Sequence, residues 1–90
     1  MNSDSDSYRL EISKSATRFL TRQEPAIRKR IAMALDGLTA QPLRGDICLL
    51  HGEVKQYRLR IGMYRALFHI DHQTQRIVID AIGTRGDIYK

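Results

Sequence analysis

The chain has 90 residues, is 42% hydrophobic and carries a formal net charge of +5; that length makes one domain with a single modest core. No apolar run is long enough to span a bilayer, and the polar, acidic start from Met1 to Ser7 is not a signal peptide. The expectation is a disordered head over residues 1–7, a domain from 8 to 90 and a cytoplasmic setting, with the lone Cys48 excluding an internal disulfide.

Tyr8-Arg9-Leu10-Glu11-Ile12 alternates apolar and polar residues, which predicts a first strand with Tyr8, Leu10 and Ile12 toward the core. Ser13 or Ser15 can cap a short helix through Ala16, Phe19 and Leu20. Glu24-Pro25 breaks that helix, and proline suits the first turn of a second one. Ile27, Ile31, Ala34, Leu35 and Leu38 form the second helix's apolar stripe, and Gln41-Pro42 stops it. Residues 43–56 are less regular, punctuated by Gly45 and Gly52. Cys48 stands among Ile47, Leu49 and Leu50 and reads as a buried thiol.

Tyr57-Arg58-Leu59-Arg60-Ile61-Gly62-Met63-Tyr64-Arg65 predicts two strands folded back at Gly62-Met63, where a leading glycine suits a type II′ turn. The pairing that follows sets Ile61 opposite Tyr64, Leu59 opposite Ala66 and Tyr57 opposite Phe68. The other face then carries Arg60 directly opposite Arg65, with Arg58 two positions along and no acid nearby to neutralise them. Like charges opposite one another destabilise a sheet, so this hairpin is suited to holding an anion. A turn near 71–75 and a last strand over 76–82 follow, and the tail from Gly83 leaves the sheet carrying Arg85 and Tyr89. The fold class expected is α+β: an N-terminal strand, a helical hairpin and a mainly antiparallel three-stranded meander in one sheet, with the helices on one face.

The basic charge belongs to the folded part. Residues 55–90 carry seven bases against three acids, and eleven of the fifteen bases in the chain are arginine, whose planar fork grips two phosphate oxygens at once. A nucleic acid or an acidic protein is the partner this favours. Arg18, Arg22, Arg28, Lys29 and Arg30 read as a solvated helix face or a broad electrostatic footprint. His51, His69 and His72 lack metal-ligand spacing, and His69 and His72 bracket the turn as solvated side chains. No glycine-rich phosphate loop is present. The sequence therefore leads to no metal and no cofactor.

The motifs Tyr57-Arg-Leu-Arg-Ile-Gly62, Met63-Tyr-Arg65, Ile82-Gly-Thr-Arg85 and Ile88-Tyr89, after a helical hairpin, resemble the RelE/ParE toxin superfamily, over roughly Tyr8 to Lys90. In that superfamily the RelE branch cleaves messenger RNA in the ribosomal A site and the ParE branch inhibits DNA gyrase; the hairpin arginines with the tail Arg and Tyr are more similar to RelE. The resemblance implies a type II toxin with a RelB-like antitoxin, acting on the ribosome and mRNA, reaching operator DNA only through the antitoxin and touching no membrane. It implies metal-independent cleavage, in which the ribose 2′-hydroxyl attacks the neighbouring phosphate. Arg58 and Arg60 fall where the family keeps basic residues. Arg65 matches the arginine that binds the scissile phosphate, Arg85 a tail arginine at the phosphate or leaving group, and Tyr89 a tyrosine that stacks on or orients a base. Some relatives have lysine at positions 58 and 60, where it can be argued as the base; arginine is effectively never deprotonated, so Lys55, His51, His69 or the ribosome is left to supply that function. Met63 stands where relatives often have aspartate. A non-enzymatic gyrase inhibitor and a non-toxic module binding antitoxin or DNA are the alternatives.

Overall fold

The computed structural model describes residues 8–40, 44–50 and 56–84. The expected disordered head and the helix stop at Gln41-Pro42 lie outside them. Strand β1 (Arg9–Ile12) leads into helix α1 (Lys14–Thr21), helix α2 (Pro25–Asp36) and a 3-10 turn over Gly37–Thr39. Strands β2 (Asp46–Leu50), β3 (Gln56–Ile61), β4 (Tyr64–Asp71) and β5 (Arg76–Thr84) follow. They form one five-stranded sheet in the order β1-β5-β4-β3-β2, with β1 parallel to β5 and the other pairs antiparallel. The α+β class holds, but the meander has four strands where the sequence suggested three. Among the described residues no helix is long and apolar enough to cross a membrane.

The helices form where local chemistry dictates. Ser13 caps α1 by accepting a hydrogen bond from the Ala16 N–H at 3.1 Å. Pro25 opens α2, and Ile31, Leu35 and Leu38 of its stripe are fully buried. They meet Leu59, Ile61, Tyr64, Ala66, Phe68, Ile77, Ile79 and Ile82, the alternate residues of β3, β4 and β5, in one core. The helices therefore cover one face of the sheet and leave the other uncovered by helix.

Four expectations need correction. Residues 46–50 are a strand, because pairing with β3 recruits them. Cys48 is exposed, since the register sets it opposite Arg58 on the helix-free face of an edge strand. Ile12, at the end of the other edge strand, is 38% exposed and stays out of the core that Tyr8 and Leu10 join. The last strand also runs further than expected, to Thr84, so Gly83 and Thr84 still belong to the sheet.

Candidate functional site

The arginine hairpin folds as its sequence requires. Gly62 takes φ of 61° while Met63 is not in the positive region, the combination that separates a type II′ turn from a type I′ turn. With the turn set, Ile61 pairs with Tyr64, Leu59 with Ala66 and Tyr57 with Phe68, and Arg60 lies opposite Arg65. Arg58, Arg60 and Arg65 share the helix-free face.

Their electrostatics differ from the expectation of an unneutralised cluster. Asp46, directly across from Arg60 on β2, forms an ion pair with Arg60 Nε at 2.9 Å and lies 3.6 Å from Arg58 Nη2. Both Arg60 and Asp46 are about half-exposed, so the pair contributes well under 1 kcal/mol to stability; its effect is to offset the repulsion inside the hairpin. Arg65 has no such partner: among the described residues its side chain makes no ion pair or hydrogen bond. Arg58 Nε is buried and has no hydrogen-bond partner among the described residues. On β5, Gly83 faces Arg65 and Ala81 faces Leu67, so small residues leave the surface beside the arginines low. Leu67 faces Arg58 and is only 7% exposed, an apolar floor covered by an arginine stem.

A second group stands further along the same face. The register of β4 with β5 passes from Leu67 opposite Ala81 to Phe68 opposite Ile79, leaving Asp80 over. Such a bulge re-aims a side chain. Here it leaves both Asp80 and Ala81 off the core face, between the buried Ile79 and Ile82. Asp80 Oδ2 accepts from His69 Nδ1 at 2.8 Å and from Gln56 Nε2 at 3.2 Å. The bulge is tied down by Ser13, whose N–H donates to the Ile79 carbonyl at 3.0 Å and whose Oγ donates to the Asp80 carbonyl at 2.9 Å. His69 is thus a strand residue held by a carboxylate, not a solvated turn side chain. His72 does lie in the turn, with Tyr8 Oη 2.8 Å from its Nδ1.

At that end of the sheet, Asp71 closes the β4–β5 turn by accepting from the N–H groups of Gln73 and Thr74 at 3.1 and 3.3 Å. Hydrogen bonds from Thr74, its side chain foremost, hold the Asp71 carboxyl below its ordinary 3.8. Of the helix bases, Arg28 donates to the Gln23 carbonyl at 2.8 Å, and Arg30 spreads its guanidinium over Gly62.

Of the residues expected to act, Arg58, Arg60 and Arg65 come together; Arg85 and Tyr89, like Lys55 and His51, lie outside the described residues. Sequence reasoning missed Asp46 and Asp80. Asp80 did leave a signal: it is a lone carboxylate inside Ile77-Val78-Ile79-Asp80-Ala81-Ile82, a costly placement unless it has a partner.

The family model for the ParE toxin of type II toxin–antitoxin systems matches residues 10–89. A search of curated protein sequences gives no significant match. Among solved structures, the chain is similar to one in the RelBE2 toxin–antitoxin complex of Mycobacterium tuberculosis, at 28% identity and a TM-score of 0.74, covering 88% of this chain and 99% of that one. It is similar to one in the archaeal RelE–RelB complex of Pyrococcus horikoshii, at 27% identity and a TM-score of 0.76, covering 90% and 98%. The isolated E. coli RelE toxin shares the fold, at 16% identity and a TM-score of 0.72, over 91% of this chain and 90% of that one.

Proposed function

Since the chain belongs to the RelE/ParE superfamily of type II toxins, we propose that it is a ribosome-dependent mRNA endonuclease that inhibits translation and is neutralised by a RelB-like antitoxin. The observation that carries this reading is the convergence of Arg58, Arg60 and Arg65 on one helix-free sheet face, with Arg65 unshared by any acid among the described residues. A phosphodiester placed there takes the half-exposed carboxylate's place on Arg58 and Arg60 and adds a charge-assisted contact to Arg65. As the 2′-oxygen attacks, charge grows on the phosphorane, and fixed guanidinium groups stabilise it more than the ground state. Arg85 and Tyr89 join as an added phosphate contact and a stacking platform. The antitoxin lays acidic residues and an amphipathic segment over this basic surface.

Cell-free translation with primer extension on the message tests the reading. The expected result is cleaved message at stalled ribosomes, with Arg65→Ala slower by about a hundredfold or more. Intact message with wild-type protein present overturns it. The matching family model, named for ParE, favours a second reading as a non-enzymatic gyrase inhibitor. A supercoiling assay run in parallel separates the two: loss of supercoiling with the message intact selects the second.

A further inference from the structure

We propose that His69 is the proton acceptor for the attacking ribose 2′-hydroxyl and that Asp80 is its positioning residue; the inference rests on the RNA-cleavage reading. The hairpin arginines can stabilise a phosphorane, but a guanidinium stays charged and cannot take a proton. The function they lack stands beside them. The Asp80 carboxylate only accepts, so at 2.8 Å from Oδ2 the neutral His69 ring carries its hydrogen on Nδ1. Its Nε2 then keeps the lone pair a base needs. Gln56 donates to the same oxygen at 3.2 Å, and Ser13 holds the bulge by the Asp80 carbonyl at 2.9 Å. The carboxylate is thereby fixed from two strands and a helix cap. The His69 side chain is 38% exposed, open enough to reach a substrate.

Register places it correctly. Arg65, Leu67 and His69 follow one another on the helix-free face of β4, and Arg58 lies opposite Leu67. Arg58 is therefore a diagonal neighbour of both Arg65 and His69, at about 7–8 Å in a regular sheet. A phosphodiester lying over Leu67 has the arginines on one flank and the imidazole on the other. On the β5 side it meets Ala81 and Gly83, with the Asp80 carboxylate next to Ala81 turned onto His69 and Gln56.

His69 Nε2 takes the 2′-hydroxyl proton and the 2′-oxygen bonds to phosphorus. The bond from phosphorus to the 5′-oxygen breaks, and that oxygen takes a proton from water. The products are a 2′,3′-cyclic phosphate and a 5′-hydroxyl, and the imidazolium returns its proton to solvent.

Purified ribosomes programmed with a defined message, with single-turnover cleavage read on a gel, test this. His69→Ala and His69→Gln should each slow cleavage by about a hundredfold or more with unchanged ribosome affinity, and His69→Gln, whose amide can still donate to Asp80, should keep thermal unfolding close to wild type. Added imidazole should restore part of the rate to His69→Ala alone. Asp80→Asn should lower the maximal rate without weakening ribosome binding, and Asp80→Glu should recover part of it. Wild-type cleavage with both His69 variants at the wild-type rate overturns the proposal and spares the nuclease reading. An uncleaved message with wild-type protein overturns both.

Discussion

Replacing Ser13 by alanine removes two hydrogen bonds centred on one oxygen. Its Oγ accepts from the Ala16 N–H at 3.1 Å and donates to the Asp80 carbonyl at 2.9 Å. Losing the cap costs about 1 kcal/mol. Stripping a part-buried carbonyl of its donor costs about 1 kcal/mol more, at the low end because solvent retains access. A loss of about 2 kcal/mol in a domain this size lowers Tm by roughly 10 °C. Urea and thermal unfolding followed by circular dichroism measure it. Two further variants divide the total. Ser13→Thr keeps both bonds and should stay within about 0.5 kcal/mol of wild type, because threonine caps nearly as well. Ser13→Asp keeps the cap but cannot donate to the carbonyl, so it should lose about half of what alanine loses. If Ser13→Asp is as stable as wild type, the bond to the bulge contributes nothing and the account of how Asp80 is held is wrong.

Asp46→Asn should act oppositely on stability and binding. Unfolding should shift by less than about 1 kcal/mol, because the ion pairs are half-exposed. Affinity for single-stranded RNA at low salt should rise about two- to fivefold, since one charge about 8 Å from a phosphate in a watery setting is worth about 0.5–1 kcal/mol; unchanged or weaker binding would show that the arginines do not meet the phosphate. Gly62→Ala should cost about 1–2 kcal/mol through its left-handed backbone. Adding Arg30→Ala should recover little of that, because the guanidinium can swing aside, and a full recovery in urea unfolding would make crowding the cause. The lowered Asp71 carboxyl binds fewer protons folded than unfolded, so its contribution is full above the ordinary carboxylate value of 3.8 and is lost as pH falls through the lower folded value. The stability gap between wild type and Asp71→Asn should therefore close on acidification, and a gap independent of pH contradicts the assignment.

The helices and the arginine hairpin were legible because local rules determine them. Pro25 and the stripe of Ile31, Leu35 and Leu38 define one helix, and a type II′ turn at Gly62 sets every pair from Ile61 to Phe68. Strand β2 was not legible. Cys48 and Leu49 are apolar yet exposed, so the run does not alternate with burial, and only pairing with β3 makes it a strand. Asp46 escaped notice for that reason, since nothing near it in sequence links it to Arg58 or Arg60. Asp80 escaped for another: its partners Gln56 and His69 lie on other strands, and only the register of the sheet brings them to it.

These two acids stand on one face and act on it in different ways. Asp46 is half-exposed and its contacts with the arginines are ion pairs in water, so a phosphodiester of the same charge can take its place, and the phosphorane, which gains a second charge, holds the arginines more strongly. It lowers repulsion in the unliganded fold at little cost to binding. Asp80 faces no arginine among its contacts; its partners are a histidine and an amide, which orient it and leave the adjoining imidazole a free nitrogen. On the proposed mechanism the division follows from position: Asp46 lies among the arginines that hold the phosphate, whereas His69 lies one diagonal step from Arg58 with its Nδ1 held by Asp80 and its Nε2 open. Binding and proton transfer therefore occupy separate ends of the Arg65-Leu67-His69 row, joined by Arg58.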